Sequence, residues 1–110
     1  MAQKSILNDT PENLIQKYAR LLCGRKIPVE KIILFGSYAK NNAKPWSDVD
    51  ICVVSSIFGK NSYDEKVMLS KLTSSIDTML EPHPYHPKDL EDPYDPLAYE
   101  IRTYGKVIVS

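Results

Sequence analysis

Gly36-Ser37-Tyr38-Ala39-Lys40, then ten residues from Ser37 to Asp48, then Ser47-Asp48-Val49-Asp50-Ile51, join a glycine-serine turn to two carboxylates one residue apart. The carboxylates open the run Asp48-Val49-Asp50-Ile51-Cys52-Val53-Val54, which is β-branched and apolar after its start and predicts a largely buried strand. Side chains alternate along a strand, so Asp48 and Asp50 share one face, with Val49 and Ile51 on the other. Two like charges about 7 Å apart along the chain repel each other, and they lose hydration wherever protein covers them. A divalent cation offsets both costs. Oxygen ligands suit magnesium or manganese better than zinc or copper, and carboxylates arranged this way can hold two ions about 3.5 to 4 Å apart.

The turn follows a second β-rich run, Val29-Glu30-Lys31-Ile32-Ile33-Leu34-Phe35, which stops at Gly36. Glycine lets the backbone approach a ligand closely, and Ser37 can offer a hydroxyl and a helix-start amide to a phosphate oxygen. Ser37 to Lys40 reads as a short helical turn and Asn41 to Pro45 as a loop. Antiparallel pairing of the two strands would set the end of the first beside the start of the second, so that turn and carboxylates face one cleft. Taken alone, a Gly-Ser pair is an ordinary turn, and an Asp-x-Asp at a strand start is an ordinary cap or solvated strand end. It is their spacing, with a strand before each, that points to nucleotide chemistry.

These residues resemble the signature of the DNA polymerase beta-type nucleotidyltransferase superfamily, and the small size places the resemblance in its minimal nucleotidyltransferase branch. The resemblance implies a metal-dependent nucleotidyltransferase with Mg2+, or Mn2+, as cofactor. It would transfer a nucleoside monophosphate from a nucleoside triphosphate, AMP from ATP, to an acceptor hydroxyl with release of pyrophosphate. Asp48 and Asp50 would hold the metal, and Gly36 and Ser37 would grip the phosphates. It also implies a third carboxylate on the next strand, which helps hold the catalytic metal and can accept the acceptor's proton. Relatives of this size commonly pair with a helical partner of the HEPN type as the antitoxin half of a toxin-antitoxin pair, and some adenylylate that partner. An alternative within the same resemblance is a non-catalytic nucleotide-binding module that neutralises such a partner.

The rest of the chain reads as alternating elements. Thr10 is a helix N-cap with Pro11 first in the helix, and Leu14, Tyr18, Leu21 and Leu22 recur at helical spacing up to Gly24. Ser55 to Ser62 is a polar loop. Tyr63 to about Ser75, with Val67, Met68, Leu69, Leu72 and Ile76, reads as a crossover helix returning the chain to a parallel strand over Asp77 to His83. The expected class is therefore α/β (α+β), a polymerase beta-like nucleotidyltransferase fold with a mixed sheet flanked by helices. On the third strand Asp77, Met79, Glu81 and His83 share a face, so either acid could be the third carboxylate. Glu81 is favoured because it sits in the apolar part of the strand, whereas Asp77 lies at the junction where a solvated acid is ordinary. Aspartate is the superfamily's usual residue there, so a glutamate departs from the pattern.

Downstream, Pro82, Pro84, Pro87, Pro93 and Pro96 are too dense for a central strand and predict a rigid surface loop or edge. His83 and His86 within it read as structural or solvated rather than as a metal pair. Pro96 to Tyr104 reads as a last helix with Leu97, Ala98 and Ile101 inward, closed by Gly105, and Lys106 to Val109 as a short strand. Lys40 and Lys44 flank the turn. Lys40 is a candidate for a triphosphate oxygen, Lys44 for solvent. Ser47 is a candidate to orient Asp48 or contact the nucleotide, and Trp46 to pack the loop down or stack on a base.

Composition sets the outer limits. A chain of 110 residues with 43% hydrophobic content can bury about two thirds of its unfolded surface around one core, so residues 1–110 are expected to form a single domain. With 14 basic against 14 acidic residues, the chain offers a nucleic acid no general attraction, and such an acceptor is disfavoured. No apolar run is long enough for a membrane span and no secretory pattern opens the chain, so a cytoplasmic protein is expected. Cys23 and Cys52 lack the paired spacing of a metal knuckle and read as buried, reduced thiols.

Overall fold

The computed structural model describes residues 7–110. Strand β1 (Lys31–Phe35) pairs antiparallel with β2 (Val49–Val54), β2 pairs parallel with β3 (Leu80–Tyr85), and β4 (Lys106–Val109) pairs antiparallel with the free side of β1. The strand order is β3-β2-β1-β4, a mixed sheet with the two expected functional strands at its centre. Helix α1 (Pro11–Gly24) precedes β1, α2 (Ser62–Leu72) makes the crossover from β2 to β3, and α3 (Pro96–Tyr104) precedes β4. This is the anticipated α/β arrangement.

Alternation divides the sheet into two apolar faces. Ile32, Leu34, Val49, Ile51, Val53 and Leu80 pack with Leu14, Ile15, Tyr18 and Leu22 of α1 and Leu69 of α2. Full burial of each such side chain contributes about 1.5–3 kcal/mol. The Tyr18 hydroxyl donates to the Leu69 carbonyl at 2.7 Å, which satisfies a polar tip inside this layer and ties the two helices together. Ile33, Phe35, Cys52 and Val54 form the opposite face, covered by Ile101 of α3. By parity Asp48, Asp50, Glu81 and His83 belong to this second face.

Each helix is fixed by its ends. The Thr10 hydroxyl accepts from the Asn13 amide at 3.2 Å, with Pro11 at the first position, as the sequence predicts. Helix α1 runs through Gly24 and closes at Lys26, left-handed at φ 61, where the Ile27 amide bonds back to the Leu22 carbonyl. In α2 the Asn61 side chain caps Asp64, and Glu65 reaches back to the amides of Gly59, Lys60 and Asn61. The helix ends at Leu72, and Thr73–Ser75 tighten into a 3-10 turn. Asp95 caps α3 through the Leu97 and Ala98 amides and accepts from the Tyr85 hydroxyl at 2.8 Å. Gly105 ends α3 with φ −68, so it is space that requires glycine there: a Cβ would collide with the Ile101 carbonyl and the Ile33 side chain.

The third strand departs from expectation at both ends. Asp77 accepts the Met79 amide on its side chain and the Leu80 amide on its carbonyl, making a turn that delays the strand to Leu80. The strand then continues through two prolines to Tyr85. The carbonyls of Met79 and Tyr85 accept from the amides of Val49 in β2 and of Ser55 just after it. Odd-numbered residues therefore turn their backbone toward β2, and Pro82 and Pro84 turn theirs toward the open edge, where a missing N–H costs nothing. Cys23 is likewise not buried: it is exposed on the last turn of α1, off the stripe defined by Leu14, Ile15, Tyr18 and Leu22. Among the described residues no helix is long and apolar enough to cross a membrane.

Candidate functional site

Three strands bring the predicted residues to one end of the sheet. In the β1/β2 register Phe35 faces Asp50, so Gly36 follows directly beside the Asp50 side chain. Gly36 is buried with φ 74, a conformation that side chains rarely adopt, and a Cβ there would strike the Asp50 carboxylate. The following turn is built by bonds from the Ala39 and Lys40 amides to the Gly36 carbonyl. It closes at Asn41, left-handed at φ 59, with the Asn42 amide bonding to the Ser37 carbonyl. This short turn is the one expected over Ser37 to Lys40.

On the other side, the parallel register sets Glu81 against Asp50 and His83 against Cys52. Asp48 lies one residue before β2 and within hydrogen-bonding reach of Glu81. Its pKa is raised, first by burial, then by the charge of Glu81 and the hydrogen bond with it, and then by Asp50. Three carboxylates thus crowd one corner and make it costly to keep Asp48 ionised. One ligand atom each from Asp50, Glu81 and His83 lie within 4.8 Å of one another. The donor chemistry fits a divalent cation, which would offset both the burial that chiefly raises Asp48 and the repulsion that adds to it.

Asp77 and Glu81 have different occupations. The Asp77 carboxylate is buried and accepts the Asn8 amide at 2.9 Å and the Met79 amide at 2.8 Å, pinning the segment before α1 to the entry of β3. It is a buried structural acid and not the solvated one expected at that junction, because two backbone donors replace its water. Glu81 is half-buried beside Asp50, with Lys66 Nζ 3.5 Å away.

The remaining candidates lie at the border. Lys40 pairs with Glu100 of α3 at 3.2 Å and sits 4.8 Å from the centre of the Tyr104 ring, so its ammonium ties the turn to α3. The Ser47 hydroxyl accepts from the Lys44 amide at 2.8 Å and shapes the loop leading to Asp48. Trp46 is 64% exposed and does not pack that loop down. His86 accepts from the Lys88 amide within its own loop. His83, grouped with it in the sequence, instead belongs to the site: its Nε2 is 3.7 Å from an Asp50 oxygen and its ring lies against Phe35, centroids 5.2 Å apart. The signal was the strand period, which puts His83 two residues beyond Glu81 on one face. Lys66, from α2, carried no signal of its own.

The chain is similar to known proteins in sequence family and in fold. Residues 15–95 match the family described as nucleotidyltransferase domain. A protein from Sulfolobus solfataricus assigned as a nucleotidyltransferase superposes with a TM-score of 0.65 at 18% identity, covering 87% of this chain and 77% of its own. A chain of a toxin-antitoxin complex with AMP-PNP gives 0.52 at 24% identity, covering 88% and 71%. A chain of the complex between a tri-AMPylated Shewanella oneidensis HEPN toxin and an MNT antitoxin gives 0.51 at 19% identity, covering 90% and 71%. At these identities the structural likenesses establish a shared fold. A search of curated proteins found no match.

Proposed function

The chain belongs to the nucleotidyltransferase domain family, and from that premise we propose that it transfers AMP from ATP to a hydroxyl of a helical, HEPN-type partner protein. It would then be the antitoxin half of such a pair. The observation that carries this reading is the convergence of the Gly36 turn with Asp48, Asp50 and Glu81 at one end of the sheet. Support for the donor and partner comes from chains of the same fold in a toxin-antitoxin complex with AMP-PNP and in a complex with an AMPylated HEPN toxin. Two unpaired cysteines, one of them exposed, suit the reducing cytoplasm in which we place the activity.

Asp48, Asp50 and Glu81 would hold a divalent cation, Mg2+ or Mn2+, which when bound would neutralise triphosphate charge and make pyrophosphate a better leaving group. The amides of the Gly36-Ser37 turn and the Ser37 hydroxyl would hold the outer phosphates. Glu81, at the open edge of the sheet, accepts the proton of the acceptor hydroxyl as its oxygen attacks the alpha phosphorus in line. The extra methylene of glutamate would extend from the edge strand toward Asp50 on β2 and Asp48 just before it. Ser47 and Lys40 act by shaping the loop to Asp48 and by anchoring the turn to α3. The test is co-purification with the native partner followed by intact-mass measurement after ATP and Mg2+ are added. A gain of whole AMP units on the partner supports the reading, and an unchanged mass with full nucleotide consumption excludes it.

A further inference from the structure

The buried Nε2 nitrogen of His83 has no hydrogen-bond partner among the described residues. Burial without a partner is costly for a polar atom, and in this fold such an atom calls for a specific reason. The Asp50 carboxylate, 3.7 Å away, is too far for a hydrogen bond. The ring is held in place by its contact with Phe35 and by its position on β3 opposite Cys52. A fixed imidazole nitrogen therefore faces a carboxylate across a gap.

Lys66 completes the picture from α2. Its ammonium lies 3.5 Å from Glu81 Oε1 and 3.4 Å from His83 Nδ1, so one cation touches two members of the Asp50, Glu81 and His83 group. We propose that His83 Nε2 is a protein ligand of the metal held by Asp50 and Glu81, and that Lys66 is the cation standing in for that metal when it is absent. The proposal rests on the metal-dependent reading above and deepens it. Ligand atoms about 2.1 Å from one ion lie about 3 Å apart as neighbours and about 4.2 Å apart across it, so a set lying within 4.8 Å closes with side-chain shifts of about 0.5 to 2 Å.

The chemistry gives a direction. Magnesium prefers oxygen ligands in a strict octahedron, whereas an imidazole nitrogen among carboxylates favours manganese and the later divalent ions. The site should therefore select Mn2+ over Mg2+. Lys66 can donate only to an unprotonated Nδ1, which leaves the neutral ring's proton on Nε2. Ligation by Nε2 needs that proton on Nδ1, so Lys66 must withdraw as the ion enters, and its 40% exposed side chain has room to do so.

The experiment is Mn2+ titration of the full chain followed by electron paramagnetic resonance, with electron spin echo modulation to detect nitrogen bound to manganese. The parent should bind Mn2+ with nitrogen coupling. His83→Gln should lose that coupling and lower the preference for Mn2+ over Mg2+ about tenfold, with His86 left as the one other histidine. Lys66→Gln should retain the coupling and bind Mn2+ several-fold tighter. The proposal is overturned by manganese bound without nitrogen coupling in the parent, by coupling that persists in His83→Gln, or by weaker binding in Lys66→Gln. The parent and Lys66→Gln results decide the matter even if His83→Gln does not fold. If the parent binds no Mn2+, or Asp48→Asn/Asp50→Asn binds it as well as the parent, the underlying metal-dependent reading fails instead.

Discussion

The Asp50 carboxylate occupies the space where a side chain on Gly36 would begin, so the Gly36 turn and Asp50 are in van der Waals contact. Neither can be changed without moving the other. Gly36→Ala combines this collision with a left-handed backbone at φ 74, and it should cost about 1–3 kcal/mol of stability. It should also abolish nucleotide binding, because relief of the clash displaces Asp50. Urea unfolding and equilibrium binding of a non-hydrolysable ATP analogue check the two effects separately.

Asp77 and Glu81 lie four residues apart and should fail in opposite ways. Asp77→Ala strands the amides of Asn8 and Met79, and the loss of a buried acceptor should destabilise the fold by about 1–3 kcal/mol for each amide left without a partner. Glu81→Gln keeps size and should leave the unfolding midpoint nearly unchanged while nucleotide transfer falls by about a hundredfold or more. Denaturation midpoints and transfer rates measured on both variants give the comparison.

On the proposed reading, protonation of Asp48 would compete with metal. Its folded-state pKa is raised above the ordinary 3.8, by burial first and then by Glu81 and Asp50, so the acid form persists to higher pH than in a free aspartate. The metal-free fold is therefore relieved of repulsion as pH falls through that raised value, whereas metal binding needs the ionised form and weakens over the same range. Mn2+ affinity should begin to drop at a pH above the usual aspartate range, with proton uptake as the ion leaves. Glu81→Gln, which removes the neighbouring charge, should move that drop to lower pH.

The two cysteines should separate by reactivity. Burial pushes the Cys52 thiol up to about 12, while Cys23 is exposed on α1. Iodoacetamide should add one adduct under native conditions and two in denaturant, with peptide mapping placing the first on Cys23. Two adducts on the folded protein would contradict the packing of β2.

Local pattern was enough for the central strands, since Ile32 to Phe35 and Val49 to Val54 announce themselves by β-branched runs, and the Gly36 and Asp48 spacing fixes how their ends meet. The cap at Thr10 was equally readable from its own side chain and the Pro11 after it, and Pro96 marked the start of the last helix, whereas its cap Asp95 was not singled out. What escaped depended on knowing which strand was outermost. Pro82 and Pro84 forbid a strand only if both sides are paired, and nothing local says that β3 is an edge. The misreading of His83 followed from that. Asp77 and Lys66 depend on contacts from Asn8 and Glu81, residues 69 and 15 positions away, which no local pattern reports.

Metal-dependent nucleotide binding at the Gly36 turn and the Asp48, Asp50 and Glu81 carboxylates is tested most directly by titrating a fluorescent, non-hydrolysable ATP analogue with and without divalent cation. Parent protein should bind only when Mg2+ or Mn2+ is present, and Asp48→Asn/Asp50→Asn should bind at least about a hundredfold more weakly while its thermal unfolding stays intact. Equal binding with and without metal, or equal binding by the double variant, would contradict the account. Failure to bind under any condition would leave the chain as an interaction module that neutralises its partner by contact alone.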